Sequence, residues 1–562
     1  MIDWKSGILG VCAALAMVAA PAQNTSPAKP GAWWKNAVIY EIYPRSFGDT
    51  NGDGIGDLNG ITEHLDYLAD LGIDAIWIAP FYPSPQVDFG YDISDYDAID
   101  PQYGTMADFD RLVAEARKRN IRVITDLVLN HTSDLHAWFK ESRSSRDNPK
   151  ADWYVWHDGR PSGEAPNDWL SLFGHSAWQW EPARKQYYYH MFYREQPDLN
   201  WNNAEVRKAI DDMIRRWMQR GVEGFRLDAI TTLFEDPELR DDPMKDTLNG
   251  AGDRDVDHVH TDNLPRLHDA IRELRHVADE MPGRVLIGEV YLPNVQELAK
   301  MYGAKNDEFQ LPMDTQYGFL NHLSAADFRA RLREAETELN GNVPLLVFDN
   351  HDNRRSWDRY ADGLHNDAIA RLIAALLLAP KASSLMYYGQ EIGMVTTDPK
   401  SKADVRDPVG VTAWPLFKGR DGERTPMQWT SGRNAGFSTA AETWLPVAPD
   451  YSMRNVESER RDPGSLFNFY KALIRLRREN AAFRDGEFAL VNENDPNVLS
   501  FVRRAPDGAT VLVALNVSAS PQAVNYDRHG VALLSSFAAT GATADLKTLS
   551  LPAYGVWVGQ VR

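Results

Sequence analysis

The chain has 562 residues, of which 43% are hydrophobic, and its formal net charge is −20. This length allows a large domain with a smaller one beside it, and the composition excludes a disordered protein. The acidic balance repels phosphate backbones, which argues against nucleic acid as a partner and suits a neutral substrate.

Residues 1–22 are predicted to be a signal peptide. Lys5 precedes an apolar run from Gly7 to Ala20, and Ala20-Pro21-Ala22 is typical of a cleavage site. The run is shorter than the roughly 20 residues that cross a bilayer, and no later stretch is long enough to do so. The only cysteine lies in this segment, so the mature chain would form no disulfide. We expect a secreted, periplasmic protein.

After a Pro-rich linker at 23–31, short apolar runs alternate with amphipathic segments. The predicted strands are Ala37–Tyr43, Ala75–Pro80, Ile121–Val128, Gly224–Ile230, Val285–Val290, Glu308–Met313, Pro344–Phe348 and Ser384–Tyr388, and the helical segments include Met106–Arg119, Ala204–Gln219, Leu264–Ala278 and Asp367–Leu378. Eight strands with helices between them predict a (β/α)₈ TIM barrel, formed by residues 32–130 and 204–480. An open doubly wound sheet is the alternative, disfavoured because no Gly-rich loop follows the first strand.

Two long segments interrupt the barrel pattern. Residues 131–203 follow the third strand and are predicted to form an inserted subdomain, called subdomain B, and residues 392–446 form a second insertion after the eighth strand. From residue 483 to residue 562 the apolar residues alternate in short runs, which predicts a C-terminal antiparallel β-domain of the sandwich type.

Charged residues stand at the carboxyl ends of two predicted strands. Arg226 and Asp228 are two residues apart, so both side chains would point into the barrel, where the arginine keeps the carboxylate ionised. Glu289 ends the next strand with fewer cations nearby, and apolar surroundings would raise its pKa as a general acid requires. Considered without the other motifs, Arg226 and Asp228 could equally be a structural ion pair.

Two further strand ends carry polar strings, Asp126 to His131 and Asp349 to Asp352. Each string alone is weak evidence. Together the four strand ends gather carboxylates at one mouth of the barrel, where barrel enzymes hold their active sites. Glycoside hydrolysis needs two carboxylates on either side of the bond that breaks.

These four strings, DLVLNH, GFRLDAI, GEV and FDNHD, resemble the signature regions of glycoside hydrolase family 13, the α-amylase family. The resemblance covers nearly all of the chain from Trp33 onward. It implies retaining hydrolysis, with Asp228 as nucleophile, Glu289 as general acid/base and Asp352 as transition-state stabiliser. By the same resemblance the remaining motif residues bind sugar or support the nucleophile: His131 and His351 contact the innermost glucose, Arg226 positions Asp228, and Asp126 is the buried partner of Arg226.

Two more motifs resemble the oligo-1,6-glucosidase and α-glucosidase branch of that family. They are QPDLN at 196–200 and RTPMQW at 424–429. The branch implies that Asp88 and Arg424 form a salt bridge that closes the pocket around a terminal glucose, and that Tyr91 stacks under this sugar. Ala229 departs from the valine that accompanies α-1,6 linkages, which favours α-1,4 linkages or sucrose.

The loop after the first strand has the spacing of a cation site. Oxygen ligands stand at its positions 1, 3, 5 and 9, with glycine at position 6. Position 12 is glycine, which argues against an EF-hand sensor. The branch resemblance implies a structural Ca²⁺, or Mg²⁺, bound by Asp49, Asn51, Asp53, the Ile55 carbonyl and Asp57. A metal-free turn is the alternative.

The predicted function is a retaining, exo-acting α-glucosidase that acts on short oligosaccharides or sucrose and transfers glucose as a side activity. The alternative is a glucosyltransferase or isomerase, such as a trehalose synthase or sucrose isomerase, since these use the same catalytic residues. A non-catalytic sugar-binding or transporter-accessory protein ranks last because Asp228, Glu289 and Asp352 are all present. The motifs predict no organic cofactor, and they do not indicate the oligomeric state.

Overall fold

The computed structural model describes residues 32–562 of the chain. The predicted signal peptide and linker, residues 1–31, lie outside this range. None of the helices in residues 32–562 has the length and apolar character needed to cross a bilayer.

The described chain contains strands in four sheets and one barrel. In chain order they are β1 Val38–Ile42, β2 Ala75–Ile78, β3 Arg122–Val128, β4 Trp156–His157, β5 Trp178–Glu181, β6 Gln186–Tyr189, β7 Gly224–Asp228, β8 Met244–Leu248, β9 Arg254–Val256, β10 Val285–Gly288, β11 Leu311–Asp314, β12 Leu345–Val347, β13 Ser383–Tyr387, β14 Glu487–Val491, β15 Val498–Arg504, β16 Thr510–Asn516, β17 Gln522–Ala523, β18 His529–Ser535, β19 Thr543–Asp545, β20 Ser550–Leu551 and β21 Val556–Val561.

Helices separate the barrel strands and lead into the C-terminal sheet. They are α1 Pro44–Phe47, α2 Leu58–Glu63, α3 Leu65–Leu71, α4 Met106–Lys118, α5 Ala137–Ser142, α6 Ala204–Gln219, α7 Leu267–Asp279, α8 Val295–Lys300, α9 Thr315–Gly318, α10 Ala325–Glu338, α11 Ser356–Arg359, α12 Asn366–Leu378, α13 Pro408–Ala413, α14 Val456–Arg461, α15 Leu466–Glu479 and α16 Ala481–Asp485. Short 3₁₀ turns lie at Trp33–Asn36, Ile230–Thr232, Gln390–Ile392, Lys402–Asp404 and Arg433–Gly436.

Eight parallel strands close the predicted barrel in the order β1-β13-β12-β11-β10-β7-β3-β2. The (β/α)₈ prediction is therefore confirmed, and each of the eight predicted strands overlaps a barrel strand. Apolar side chains such as Ile39, Trp77 and Ile287 fill the barrel interior. Arg226 is paired in register with Ile287 and with Asp126, so the same inward face becomes charged toward the carboxyl ends of the strands.

Subdomain B contains a three-stranded antiparallel sheet in the order β4-β6-β5. A β-bridge joins His131 to Asp198, so the two ends of the segment lie beside each other. The Asp198 carboxylate accepts hydrogen bonds from the Asn130 amide at 2.9 Å and from the Met191 backbone at 3.0 Å. These contacts fix subdomain B beside the carboxyl end of β3.

The hairpin β8–β9, which sequence patterns did not indicate, lies between subdomain B and the second insertion. The Asp253 carboxylate accepts a hydrogen bond from the His175 backbone at 2.7 Å. A Cβ added to Gly250 would lie 3.3 Å from the Cβ of Ala413 in α13. Three segments therefore meet at this end of the barrel: residues 172–176, the hairpin, and residues 408–417.

The C-terminal domain is antiparallel, as predicted. Six strands form one sheet in the order β14-β15-β16-β21-β18-β19, and β17 pairs with β20. Two buried arginines join this domain to the barrel through backbone carbonyls. Arg329 of α10 donates to the Val498 carbonyl at 3.0 Å, and Arg503 of β15 donates to the Ala379 carbonyl at 3.4 Å.

Candidate active site

One buried arginine holds three carboxylates at the mouth of the barrel. Nη1 of Arg226 lies 3.0 Å from Asp126 and 2.7 Å from Asp228, and its Nη2 lies 2.5 Å from Glu289. These residues stand at or just after the carboxyl ends of β3, β7 and β10. A guanidinium stays charged at all ordinary pH values and presents several donors in one plane, so it can hold acidic groups close together.

The expectation that Glu289 has fewer cationic neighbours than Asp228 was wrong, because both carboxylates pair with the same guanidinium. Its other oxygen, Oε2, accepts a hydrogen bond from the Ala229 backbone at 2.9 Å. Ala229 has a φ of 42°, in the left-handed region, which turns its N–H toward the carboxylate. The residue after Asp228 therefore orients Glu289 through its backbone.

Burial and mutual repulsion act on the acidic groups of this cluster. Burial raises the pKa of Asp228 well above its ordinary value, and Arg226 opposes the rise. Burial likewise raises the pKa of Asp126 to about 6, although the charge of Arg226 acts to lower it. Since burial makes both Asp126 and Asp228 resist ionisation, the shared guanidinium decides whether these two groups can be charged together.

His351 and Asp352 follow β12 and face the same cluster from the other side. The Nε2 atom of His351 lies 2.7 Å from the Tyr91 hydroxyl and 3.1 Å from Asp352. The Tyr91 and His351 rings are nearly parallel, 3° apart, with centroids 5.3 Å apart. Tyr91 is thus fixed as a flat aromatic wall, as a stacking residue requires.

Asp352 is held as a carboxylate by cations on several sides. Burial would raise its pKa, but His351, Arg420 and Arg424 together bring it below the ordinary value. Nη1 of Arg420 lies 3.0 Å from Asp352, and Nη2 of Arg424 lies 2.8 Å from it. A fixed negative charge at this place can accept hydrogen bonds from sugar hydroxyls and stabilise a developing positive charge.

The predicted salt bridge between Asp88 and Arg424 was wrong in its cationic partner. Asp88 pairs with Arg420 at 2.8 Å. Arg424 is turned toward the barrel, where its Nε donates to the His351 carbonyl at 2.7 Å and its Nη2 pairs with Asp352. Arg420, four residues earlier, also pairs with Asp407 at 2.9 Å, so it joins carboxylates from three loops.

His131 and Gln196 complete the deep end of the site. Nε2 of His131 lies 3.0 Å from the Gln196 amide, which also donates to Asp88 at 3.2 Å. Burial lowers the pKa of His131 to about 3, so its imidazole is neutral near pH 7. Gln196 opens the QPDLN motif, which explains why this motif accompanies the pocket.

One cavity of about 560 Å³ is lined by seven of these polar and aromatic groups: Asp88, Tyr91, His131, Asp228, Glu289, Asp352 and Arg420. Its deep end is charged, whereas its rim carries apolar side chains from subdomain B and from the second insertion. The lining residues at the rim include Leu172, Phe173, Phe192, Val409 and Phe417. Ligand pockets for small molecules have volumes of roughly 300–1,000 Å³, so a short saccharide fits.

The loop predicted to bind calcium is folded around its own backbone. Asp49 accepts from Gly52 at 2.7 Å and from Gly54 at 2.8 Å, and Asp57 caps α2 through Gly60 at 2.8 Å. Within residues 32–562, no three His, Cys, Asp or Glu side chains lie close enough in this arrangement to hold a metal ion. The oxygen-rich donor set suits Ca²⁺, but its side chains would have to turn inward.

The barrel, its charged mouth and the paired carboxylates define a glycoside hydrolase. The catalytic-domain profile of the α-amylase family matches residues 41–486. The chain therefore belongs to the α-amylase family, glycoside hydrolase family 13, and to its α-glucosidase and oligo-1,6-glucosidase branch.

Similar proteins agree with this assignment. A probable α-glucosidase of Rhizobium meliloti (strain 1021) is 44% identical over 84% of this chain and 87% of its own length. The solved structure of an α-glucosyl transfer enzyme is 41% identical, with a TM-score of 0.86 over 94% of this chain and 99% of the other. The trehalulose synthase of Pseudomonas mesoacidophila MX-45 is 34% identical, with a TM-score of 0.85 over 94% and 99%.

Proposed function

We propose that the protein is a retaining, exo-acting α-glucosidase that releases terminal α-glucose from short oligosaccharides or from sucrose. The observation that carries this proposal is the pairing of Asp228 and Glu289 with one guanidinium at the mouth of one cavity. Retaining enzymes place their two carboxyl groups about 5–5.5 Å apart, and this is the separation that the proposal predicts for Asp228 and Glu289.

The reaction would proceed in two displacements. An oxygen of Asp228 attacks the anomeric carbon while Glu289 gives its proton to the leaving glycosidic oxygen, which forms a glucosyl ester and frees the leaving sugar. Water then attacks the same carbon, Glu289 takes a proton from it, and Asp228 leaves as a carboxylate. The Ala229 N–H holds Glu289 in place for both steps.

The deep end of the cavity supports action on a terminal sugar. Arg420 links Asp88 to Asp352 along one wall of the pocket, and its guanidinium also lies over the ring of Phe173 at the rim. A glucose bound there would meet charged hydrogen-bonding groups on several sides. The apolar rim would then receive the leaving group or an acceptor.

Glucosyl transfer or isomerisation is the second candidate function. It is favoured by the similarity to an α-glucosyl transfer enzyme and to a trehalulose synthase. In both cases a sugar or alcohol hydroxyl, rather than water, attacks the glucosyl ester. We propose transfer as a side activity of the same site.

A panel of disaccharides tests these proposals. The enzyme is incubated with maltose, isomaltose, sucrose and trehalose, and the products are followed by proton NMR. We expect α-glucose to appear first, faster from maltose or sucrose than from isomaltose. Initial release of β-glucose would contradict retention, and a disaccharide product in place of free glucose would assign the chain to the second candidate.

Ala229 is expected to set part of the linkage preference. Ala229→Val adds two methyl groups at the cavity wall, and β-branched residues disfavour the left-handed backbone seen here. We expect kcat/KM for maltose to fall about tenfold, with a smaller change for isomaltose. Ala229→Gly is the matched control and should keep the preference of the parent enzyme. An equal loss on both sugars would show that the side chain does not discriminate.

We also propose that Asp49, Asn51, Asp53, the Ile55 carbonyl and Asp57 bind a structural Ca²⁺. Their spacing supports this, as do the successive turns in which Asn51 accepts from Asp53 and Asp53 from Ile55. A cation bound only by the folded state raises stability, by about 2.7 kcal/mol at a hundredfold excess over Kd. EDTA should lower the Tm by a few degrees and added Ca²⁺ should restore it.

The matched control for the calcium test is an exposed carboxylate far from the loop. Asp53→Ala, which removes the ligand oxygen altogether, should remove the response of the Tm to Ca²⁺, whereas Asp527→Ala should keep it. If the parent protein shows the same Tm with EDTA and with Ca²⁺, the loop is a metal-free turn.

A further inference from the structure

A buried carboxylate lies behind the active-site histidine. Glu41, on β1, is fully buried and points into the barrel. Its Oε1 atom lies 2.7 Å from Nδ1 of His351 and accepts a hydrogen bond from the His351 backbone at 3.2 Å. Its Oε2 atom has no hydrogen-bond partner among residues 32–562. All polar contacts of Glu41 therefore go to His351, and none goes to the cavity.

The other ring nitrogen of His351 faces acceptors. Nε2 lies 3.1 Å from the Asp352 carboxylate and 2.7 Å from the Tyr91 hydroxyl, which in turn donates to Asp126 at 3.2 Å. Asp352 is held ionised by Arg420 and Arg424. If Nε2 carried no proton, its lone pair would face a carboxylate, which is repulsive. With the Tyr91 hydroxyl donating to Asp126, Nε2 must be the donor in the contact between the ring and that hydroxyl.

If Nε2 carries a proton, Glu41 and Nδ1 of His351 have one proton between them. Either a protonated Glu41 donates to Nδ1, or an ionised Glu41 accepts from an imidazolium. The two states contain the same atoms and the same net charge, and they differ only in the position of one proton along the 2.7 Å contact. Burial raises the pKa of Glu41 and lowers the pKa of His351, which agrees with a neutral pair that shares this proton.

We propose that Glu41 is a positioning residue that keeps Nε2 of His351 protonated, so that it donates to the Tyr91 hydroxyl beside Asp352 at the wall of the cavity. The proposal rests on the glycosidase function proposed above. Hydrogen bonds to the sugar hydroxyls strengthen in the transition state of glycoside hydrolysis, so the correct proton position should affect kcat as well as binding. The comparable role in other enzymes is a carboxylate that fixes the tautomer of a histidine.

Glu41→Gln tests the proposal. The carboxamide oxygen of glutamine would accept from the His351 backbone and from Nδ1–H, which leaves Nε2 without a proton in the neutral ring. We expect kcat/KM for p-nitrophenyl α-glucoside to fall by at least about tenfold, the size of one lost hydrogen bond to a charged group. The fall should lie mainly in kcat, and the pH profile should change.

The pH profile also depends on the charges that surround His351. Asp352 lies beside the His351 ring. Arg226 on β7, and Arg420 and Arg424 in the second insertion, lower the pKa of His351. None of these is altered by Glu41→Gln. A changed profile in this variant therefore reports on the contact between Glu41 and His351.

A double-mutant cycle separates positioning from a structural role. If Glu41 acts through His351, then Glu41→Gln should change kcat/KM less than twofold in a His351→Ala background. Glu391→Gln is the matched control, because Glu391 is equally buried and contacts the Tyr40 hydroxyl at 2.8 Å, away from the cavity. It should lower the Tm without changing the pH profile. Additive losses in the cycle, or full activity of Glu41→Gln, would overturn the proposal.

The parent enzyme offers a measurement that needs neither the variant nor activity. With ¹⁵N-labelled histidine, the Nε2 signal of His351, assigned by its loss in His351→Ala, should be that of a protonated nitrogen at neutral pH. An unprotonated Nε2 would overturn the inference even if the enzyme hydrolyses glucosides. Absence of glucosidase activity with a protonated Nε2 would instead count against the proposed function alone.

Discussion

Replacing Asp228 with asparagine should lower kcat for p-nitrophenyl α-glucoside by at least about 10⁴-fold, as loss of a nucleophile does in other covalent mechanisms. An amide cannot form the glucosyl ester, although it fills the same space beside Arg226. Initial rates at saturating substrate give kcat, and the near-ultraviolet circular dichroism spectrum checks that the fold is kept.

A matched control for Asp228 is an aspartate that makes an ion pair outside the site. Asp97 pairs with Arg216 at 2.7 Å on the surface, and its side chain is 54% exposed. Asp97→Asn should leave kcat within about twofold, because exposed ion pairs contribute little. If Asp228→Asn keeps more than a tenth of the parent kcat, Asp228 is not the nucleophile.

Replacing Arg420 with methionine should lower kcat/KM by about 10²-fold. Arg420 is the cation between Asp88, Asp352 and Asp407, so its loss leaves Asp88 and Asp407 without a cationic partner, while Asp352 keeps Arg424. Removing one partner from a buried ion pair destabilises a protein by about 3–5 kcal/mol. Part of this loss would weaken substrate binding, because Asp88 and Asp352 line the cavity. Steady-state kinetics with maltose should show both a raised KM and a lowered kcat, and the Tm should fall.

The neighbouring Arg406 gives the comparison for Arg420. It is exposed in the same insertion, so Arg406→Met should change neither kcat/KM nor the Tm by a measurable amount. Activity of Arg420→Met within threefold of the parent enzyme would show that the contact with Asp88 does not close the pocket.

The barrel was predictable because its signals are local. Each barrel strand is a short apolar run, and residues such as Arg226 and Asp228 lie two apart, which places them on one face. The position of active sites at the carboxyl ends of barrel strands then brings Asp228 and Glu289 together without further information.

The partner of Asp88 was not predictable from local signals. Arg420 and Arg424 are four residues apart in an irregular segment, and the motif identifies the segment but not the direction of each side chain. Gly419, with a φ of 81°, and the contact of Arg420 with Asp407 turn Arg420 toward Asp88. This arrangement depends on the packing of a long insertion against the barrel.

The partner of Glu41 was likewise not predictable, although Glu41 lies in a regular strand. Its alternation with Ile39 predicts an inward side chain, but a charged residue there gives no sign of its partner. His351 is 310 residues away in the chain, and only closure of the barrel brings the two together. The hairpin β8–β9 was missed because its residues are largely exposed and lack an apolar alternation.

The central claim is that Asp228 forms a covalent glucosyl ester, and trapping of this ester tests it most directly. The enzyme is incubated with 5-fluoro-α-D-glucosyl fluoride, which forms the ester faster than water removes it, and is examined by intact and peptide mass spectrometry. We predict one added fluoroglucosyl group, on the peptide that contains Asp228, and none in Asp228→Asn. An adduct on another residue, or none in an enzyme that turns over p-nitrophenyl α-glucoside, would contradict the account.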